Sequence, residues 1–271
     1  MIQNVLILGC GNMGGALVRG LCREKRLRKN RYFLYDVISE RASELAAEFD
    51  LAWAPHLEEI PFTPTIVVLA FKPDDLSGAG IHLQRWPEAM FVSVLAGVSL
   101  SDLASALAGA KRIVRIMPNL AVEVGEGIVP VCFSPDMEQD RKEDFLFFLS
   151  TLGWIFETEE KHLASYTALS GSGPGFVSMF VEALADGGVS IGIPWETSLK
   201  LALQTVCGTA FLLKARGNHP GLLKNQVASP GGTTIAGIRR LEEGGLRAAV
   251  MNAVEASYRK TGMSGGERRC R

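Results

Sequence analysis

The sequence predicts an α/β chain, with a doubly wound parallel sheet in the first half and an all-α region in the second. Three observations support that reading. Short apolar runs alternate with helical patterns up to about residue 160, the order expected of a sheet wrapped by helices on both faces. The first run breaks into "GCGNMG" (Gly9 to Gly14), a glycine-rich turn that opens a helix. Beyond "WIFET" (Trp154 to Thr158) no strand pattern recurs.

Val5 to Leu8 is an uninterrupted apolar run ended by Gly9, as in a parallel strand buried on both faces. Asn12 to Cys22 follows, with Met13, Leu17 and Leu21 at four-residue steps of a helical stripe. "YFLYD" (Tyr32 to Asp36) is a second strand, and Ser39 is expected to cap the helix "ERASELAAEF" behind it. "TIVVLAF" (Thr65 to Phe71) and "MFVSVLAG" (Met90 to Gly97) are the third and fourth strands, the former stopped by Lys72-Pro73. Ser99-x-x-Asp102 has capping-box spacing before "LASALA", and "KRIVRIMP" and "GIVPVCF" supply two further strands. In the second half Phe176, Met179, Phe180, Ala183 and Leu184 fall at helical spacing. A helix from Pro194 to Gly217 shows the Pro-first, Gly-last asymmetry of helix ends, and another spans Leu246 to Lys260. Two domains are expected, over 1–160 and 161–271.

A chain of 271 residues with 47% hydrophobic and 21% charged residues has the composition of a globular protein. Its net charge of −1 gives no reason to expect nucleic acid as a partner. The basic stretch "REKRLRKNR" (Arg23 to Arg31) follows a helix and reads as a solvated helix exit. Cysteines 10, 22, 132, 207 and 270 are scattered, without C-x-x-C spacing. That argues against a disulfide framework or a metal site and fits a reducing cytoplasm. The start "VLILGCG" lacks the features of a signal peptide, and no apolar run is long enough for a membrane span.

Gly9, Gly11 and Gly14 have G-x-G-x-x-G spacing directly after a strand and at the mouth of a helix. The first permits the tight turn, the second admits a pyrophosphate to the backbone, and the third lets the helix pack on the sheet. This makes residues 1–160 a Rossmann-type dinucleotide-binding domain. Asp36 ends the second strand, where an acid hydrogen-bonds the adenosine ribose and disfavours a 2′-phosphate. Arg41 lies close in sequence and reads as a surface helix residue, so NADPH and NADH both stay open.

Two segments of the second half, "LSGSGPG" (Leu169 to Gly175) and "SPGGTT" (Ser229 to Thr234), are rich in special backbone residues and hold no ionisable side chain. The second is either an ordinary helix start or a set of backbone N–H groups left open for an anion. The histidines at 56, 82, 162 and 219 form no cluster. Such a site orients its substrate rather than exchanging protons.

In order, the chain carries "LILGCGNMGGALVRGL", "VVLAFKP", "SVLAGVSL", "RIMPN", "ALSGSGPGFV" and "LKNQVASPGGTTIAGIRRLE". This series resembles the motifs of the Δ1-pyrroline-5-carboxylate reductase family over nearly the whole chain. The resemblance implies reduction of the cyclic imine of pyrroline-5-carboxylate to proline by NADPH or NADH. It also implies an all-α dimerisation domain, and a homo-oligomer that is a dimer or a decamer of dimers. By the same resemblance the glycine loop with Cys10, Asn12 and Met13 holds the cofactor. Ala70 and Lys72 follow its ribose-phosphate, and Ala96, Met117, Pro118 and Asn119 lie beside the nicotinamide. Ser229, Gly231, Gly232 and Thr233 would hold the substrate carboxylate, with the Thr234 hydroxyl facing the ring nitrogen as the catalytic contact. Leu120, Ala121 and Gly175 depart from the family pattern, which has Thr-Pro and Ala there. A β-hydroxyacid dehydrogenase shares the two-domain plan, but it calls for a catalytic lysine that Phe176 to Gly188 does not contain. A non-catalytic nucleotide-sensing protein is the third reading.

Overall fold

The computed structural model describes residues 2, 4–23 and 31–266. Most of the basic stretch Arg23 to Arg31, and Cys270, lie outside the described residues. The chain divides into two compact units: Met1–Ser172 with the residues from Ser257 onward, and Gly173–Ala256.

The first unit is built on an eight-stranded sheet in the order β3-β2-β1-β4-β5-β6-β7-β8. Its strands are β1 (Asn4–Leu8), β2 (Arg31–Tyr35), β3 (Ala52–Trp53), β4 (Ile66–Leu69), β5 (Met90–Ser93), β6 (Arg112–Ile116), β7 (Gly127–Phe133) and β8 (Gly153–Glu157). The helices between them are α1 (Asn12–Cys22), α2 (Ser39–Phe49), α3 (Leu76–Leu83), α4 (Leu100–Ala106) and α5 (Gln139–Leu149). Strand alternation sorts the core. Val5 and Ile7 of β1 pack with Ala16, Leu17 and Leu21 of α1 on one face. Leu6 and Leu8 pack with Phe91, Leu103 and Ile113 on the other. With both faces covered, the strands read as continuous apolar runs.

The sheet departs from an all-parallel arrangement at one place. β7 runs antiparallel to β6, and β8 is parallel to β7. Residues 117–126 separate β6 from β7, fewer than the dozen or so that a parallel crossover needs. The edge strand β3 is only two residues long and exposed. It follows Asp50, which ends α2 in the left-handed conformation at φ 55°. Ser39 does not cap α2. It is the first helical residue, and the cap is Ile38, without a side-chain bond. The Ser99–Asp102 capping box does form: the Asp102 N–H donates to Ser99 Oγ at 3.1 Å, and the Ser99 N–H to Asp102 Oδ2 at 3.0 Å. Helix α1 packs closely at Gly20, where a Cβ would lie 2.3 Å from Val122 O.

Beyond the sheet come α6 (Leu163–Tyr166), a π-turn over Thr167–Gly171, α7 (Gly173–Ser190), α8 (Trp195–Arg216), α9 (Pro220–Val227), α10 (Thr233–Glu243) and α11 (Leu246–Gly266). The helix read from Pro194 to Gly217 is α8, with Pro194 as its N-cap and Gly217 closing it at φ 62°. The compact units divide at residue 172, later than the change of texture at about residue 160. The intervening residues are tied to the sheet unit: Glu160 Oε1 accepts from the Leu100 N–H at 2.7 Å and Arg115 Nη1 at 2.6 Å. In the second unit a small core of Val181, Ala185 and Ala202 joins α7 to α8. Large apolar side chains stand exposed there, among them Met179, Ile191, Leu201, Phe211 and Met251.

Candidate active site

β1 ends at Leu8 and the chain turns at once. Gly9 adopts φ 101°, which L side chains avoid, and a Cβ there would lie 2.5 Å from Ala70 O. Gly14 is equally confined, since its Cβ would fall 1.9 Å from Gly9 O. Gly11 is the opposite case: a Cβ there would meet nothing within 4 Å. It is the N-cap of α1 and provides no side-chain cap. Closed glycines therefore flank an open one, and the uncapped first turn of α1 faces the space beside it. A pyrophosphate fits that cradle, taking backbone N–H groups at the positive end of a helix.

The other positions expected to hold the cofactor follow the C-terminal ends of adjacent strands. Ala70 follows β4 and donates its N–H to Leu8 O at 2.7 Å. Exposed Lys72 stands extended before Pro73. Exposed Ala96 follows β5, and Met117, Pro118 and Asn119 follow β6 and are buried. Met117 packs with Cys132 and Leu163. The rim from β1 through β4 and β5 to β6 is where ligands bind in open α/β sheets. The Glu160–Arg115 pair, which the sequence reading missed, braces α4 to β6 behind that rim. These residues lie far apart in sequence, and no local pattern marks them.

Asp36 is 6% exposed, and its carboxylate is held by backbone. The Cys10 N–H donates to Oδ2 at 2.7 Å and the Ile38 N–H to Oδ1 at 2.8 Å. The acid thus braces the glycine loop against the start of α2. Burial, with the Asp36 charge added, pushes the Cys10 thiol up to about 12. A cleft of about 670 Å³ opens alongside, with Gly11, Asn12, Arg19, Arg41, Glu44 and Glu48 in its lining. Arg19 is engaged by Glu48 at 3.0 Å. Arg41 is exposed and has no ion pair among the described residues.

In the second unit Gly231 turns the chain at φ 68° and Gly232 is the N-cap of α10, without a side-chain cap. The Gly232 N–H donates to Ser229 O at 3.0 Å. A Cβ on Gly232 would lie 2.3 Å from Ser229 Oγ. The first turn of α10 has no acidic residue, and Thr233 and Thr234 are exposed. The segment offers unpaired helix-start donors without a competing negative charge.

A glycine-cradled dinucleotide site on a doubly wound sheet, followed by a helical unit, defines a nicotinamide-dependent oxidoreductase. The family description "Pyrroline-5-carboxylate reductase dimerisation" matches residues 160–263, and "NADP oxidoreductase coenzyme F420-dependent" matches residues 4–97. The pyrroline-5-carboxylate reductase of Aquifex aeolicus is 36% identical, covering 96% of this chain and 97% of the relative. That of Arabidopsis thaliana is 35% identical over 94% of this chain and 92% of its own length. Among solved structures, the Plasmodium falciparum pyrroline carboxylate reductase with NADP bound superposes with a TM-score of 0.83 at 29% identity, covering 97% of this chain and 99% of that one. The Streptococcus pyogenes enzyme gives 0.84 at 29% identity, over 95% and 97%. The chain belongs to the pyrroline-5-carboxylate reductase family. Among the described residues no helix is long and apolar enough to cross a membrane.

Proposed function

We propose that residues 1–160 hold NADPH or NADH and residues 161–271 hold 1-pyrroline-5-carboxylate, whose cyclic imine is reduced to L-proline as the last step of proline synthesis. The observation that carries this reading is the contrast among the three glycines, with Gly9 and Gly14 closed by backbone and Gly11 open. The backbone of Gly11, Asn12 and Met13 holds the pyrophosphate. Ala70, Lys72, Ala96, Met117 and Pro118 line the rest of the path. A bound reduced nicotinamide supplies a hydride.

The substrate's acid group is anchored by the N–H groups of Gly231 and Thr233, while the Gly232 N–H, donated to Ser229 O, shapes the turn and leaves the approach clear of side chains. Charge-assisted bonds at a helix N-terminus are the strong kind, and paired glycines keep side chains clear. The Thr234 hydroxyl holds the ring nitrogen. That nitrogen arrives protonated from water, so as the carbon gains hydride the C=N π pair passes to nitrogen and a neutral secondary amine results. No strong protein acid is required, and orientation supplies much of the rate. This agrees with the absence of ionisable side chains in residues 229–234.

The exposed apolar side chains of the second unit form the contact between copies, in a dimer or in dimers assembled into a decamer; patches of this kind mark interfaces. The scattered cysteines, free where described, suit a cytoplasmic setting. The test is oxidation of NADH and of NADPH with pyrroline-5-carboxylate. Turnover is expected with at least one, and none with either refutes the reading.

A further inference from the structure

The segment after β6 is tied to β7 by the Met117 N–H, which donates to Pro130 O at 3.2 Å, and beyond that by one side chain. Asn119 is 7% exposed, and its amide is used at both ends. Oδ1 accepts from the Ile128 N–H at 3.2 Å, and Nδ2 donates to Ser170 O at 3.0 Å. The amide orientation follows from its partners, a donor on one side and an acceptor on the other.

Ser170 has a chemical reason to need this bond. In a regular helix its carbonyl would accept from the N–H four residues on, but residue 174 is proline and has none. The chain relaxes there into the π-turn, with the Ser172 N–H donating to Thr167 O at 3.0 Å. Asn119 Nδ2 supplies the donor that Pro174 lacks. The same side chain secures the start of β7 through Ile128, and its own carbonyl accepts from the Val122 N–H at 3.2 Å. Met117 and Pro118 thus stand between the Met117–Pro130 backbone bond on one side and, on the other, a side-chain clasp fastened at two ends.

We infer that Asn119 is a positioning residue. With its amide spent on Ile128 and Ser170, it helps fix where Met117 and Pro118 stand, and through them the nicotinamide half of the cofactor. This rests on the proposed placement of the nicotinamide beside these residues. The adenosine half meets the glycine loop, and neither bond of the Asn119 amide runs to that loop.

The test uses the full chain and two variants. Asn119→Ala removes both bonds, whereas Asn119→Asp keeps the acceptor for Ile128 and removes the donor to Ser170, and is read if the alanine variant does not fold. Titration with ADP-ribose reports the adenosine half, and titration with NADPH or NADH the whole cofactor. Both variants are expected to bind ADP-ribose as the parent does, to bind the dinucleotide more weakly, and to slow single-turnover hydride transfer about tenfold or more. Adding Pro174→Ala returns a backbone N–H to Ser170. It should raise the Tm of Asn119→Ala without restoring dinucleotide binding. Equal weakening toward both probes, unchanged binding and rate, or full recovery in the double variant would each overturn the inference. Failure of the parent chain to turn over would remove the proposed reaction, while the two titrations would still decide the clasp.

Discussion

Asp36→Asn separates two meanings of an acid at the end of β2. If Asp36 serves only the ribose, the protein without cofactor is unaffected by the change. The geometry predicts otherwise. Two backbone N–H groups donate to a carboxylate that is 6% exposed, at 2.7 and 2.8 Å. Hydrogen bonds to a charged group contribute about 1.5–3 kcal/mol each, and a buried donor left unmet costs about 1–3 kcal/mol. Asparagine keeps one acceptor oxygen and turns an NH2 toward the other donor. One bond is lost against an unmet N–H and the other loses its charge assistance. The expected destabilisation is about 3 kcal/mol, a large part of an ordinary stability margin of about 5–15 kcal/mol. Thermal unfolding without cofactor should show a Tm lower by about 6–12 °C. A variant within about 1 °C of the parent would refute the bracing role and return Asp36 to the ribose.

Four further outcomes are expected. Thr234→Ala should lower kcat/KM about tenfold to hundredfold, as befits one polar contact in the transition state; unchanged steady-state kinetics in a folded variant count against it. Arg41→Ala should lower the NADPH-to-NADH preference about tenfold, because it removes a cation from the cleft beside the glycine loop; comparing kcat/KM for the two cofactors checks this. Cys10 should resist alkylation at pH 8, since burial and the nearby Asp36 charge hold its thiol at about 12; labelling followed by mass spectrometry reads it. The Arg112 guanidinium, bonded at 3.0 Å, together with Glu138's own backbone, holds the Glu138 carboxyl down at about 2, below its ordinary 4.5. Its contribution is full above pH 4.5 and fades as pH falls toward 2, so acid titration of unfolding should be flatter in Glu138→Gln.

Much of the fold was legible in the sequence because buried parallel strands carry their signal locally. The run Val5 to Leu8, the stripe from Asn12 to Cys22 and the Ser99–Asp102 pair each specify structure within a few residues. The direction of β7 was not legible, since an apolar run reads the same either way and only the shortness of the connection forbids a crossover. β3 was missed because two exposed residues make no pattern. At the site, the glycine spacing revealed the cradle, whereas the partners of Asp36 did not show. Its identity and place at a strand end indicate a ribose ligand, and its bond to Cys10 spans twenty-six positions. Asn119 stood out for its place in "RIMPN", yet its second partner, Ser170, became visible only in three dimensions.

Gly20 gives the glycine loop an anchor at a distance. A methyl group there would strike the carbonyl of Val122, so the far turn of α1 and the turn after Asn119 are seated directly against each other. The loop is consequently not a portable cassette. Transplanting it into another scaffold succeeds only if the 120–124 turn travels with it.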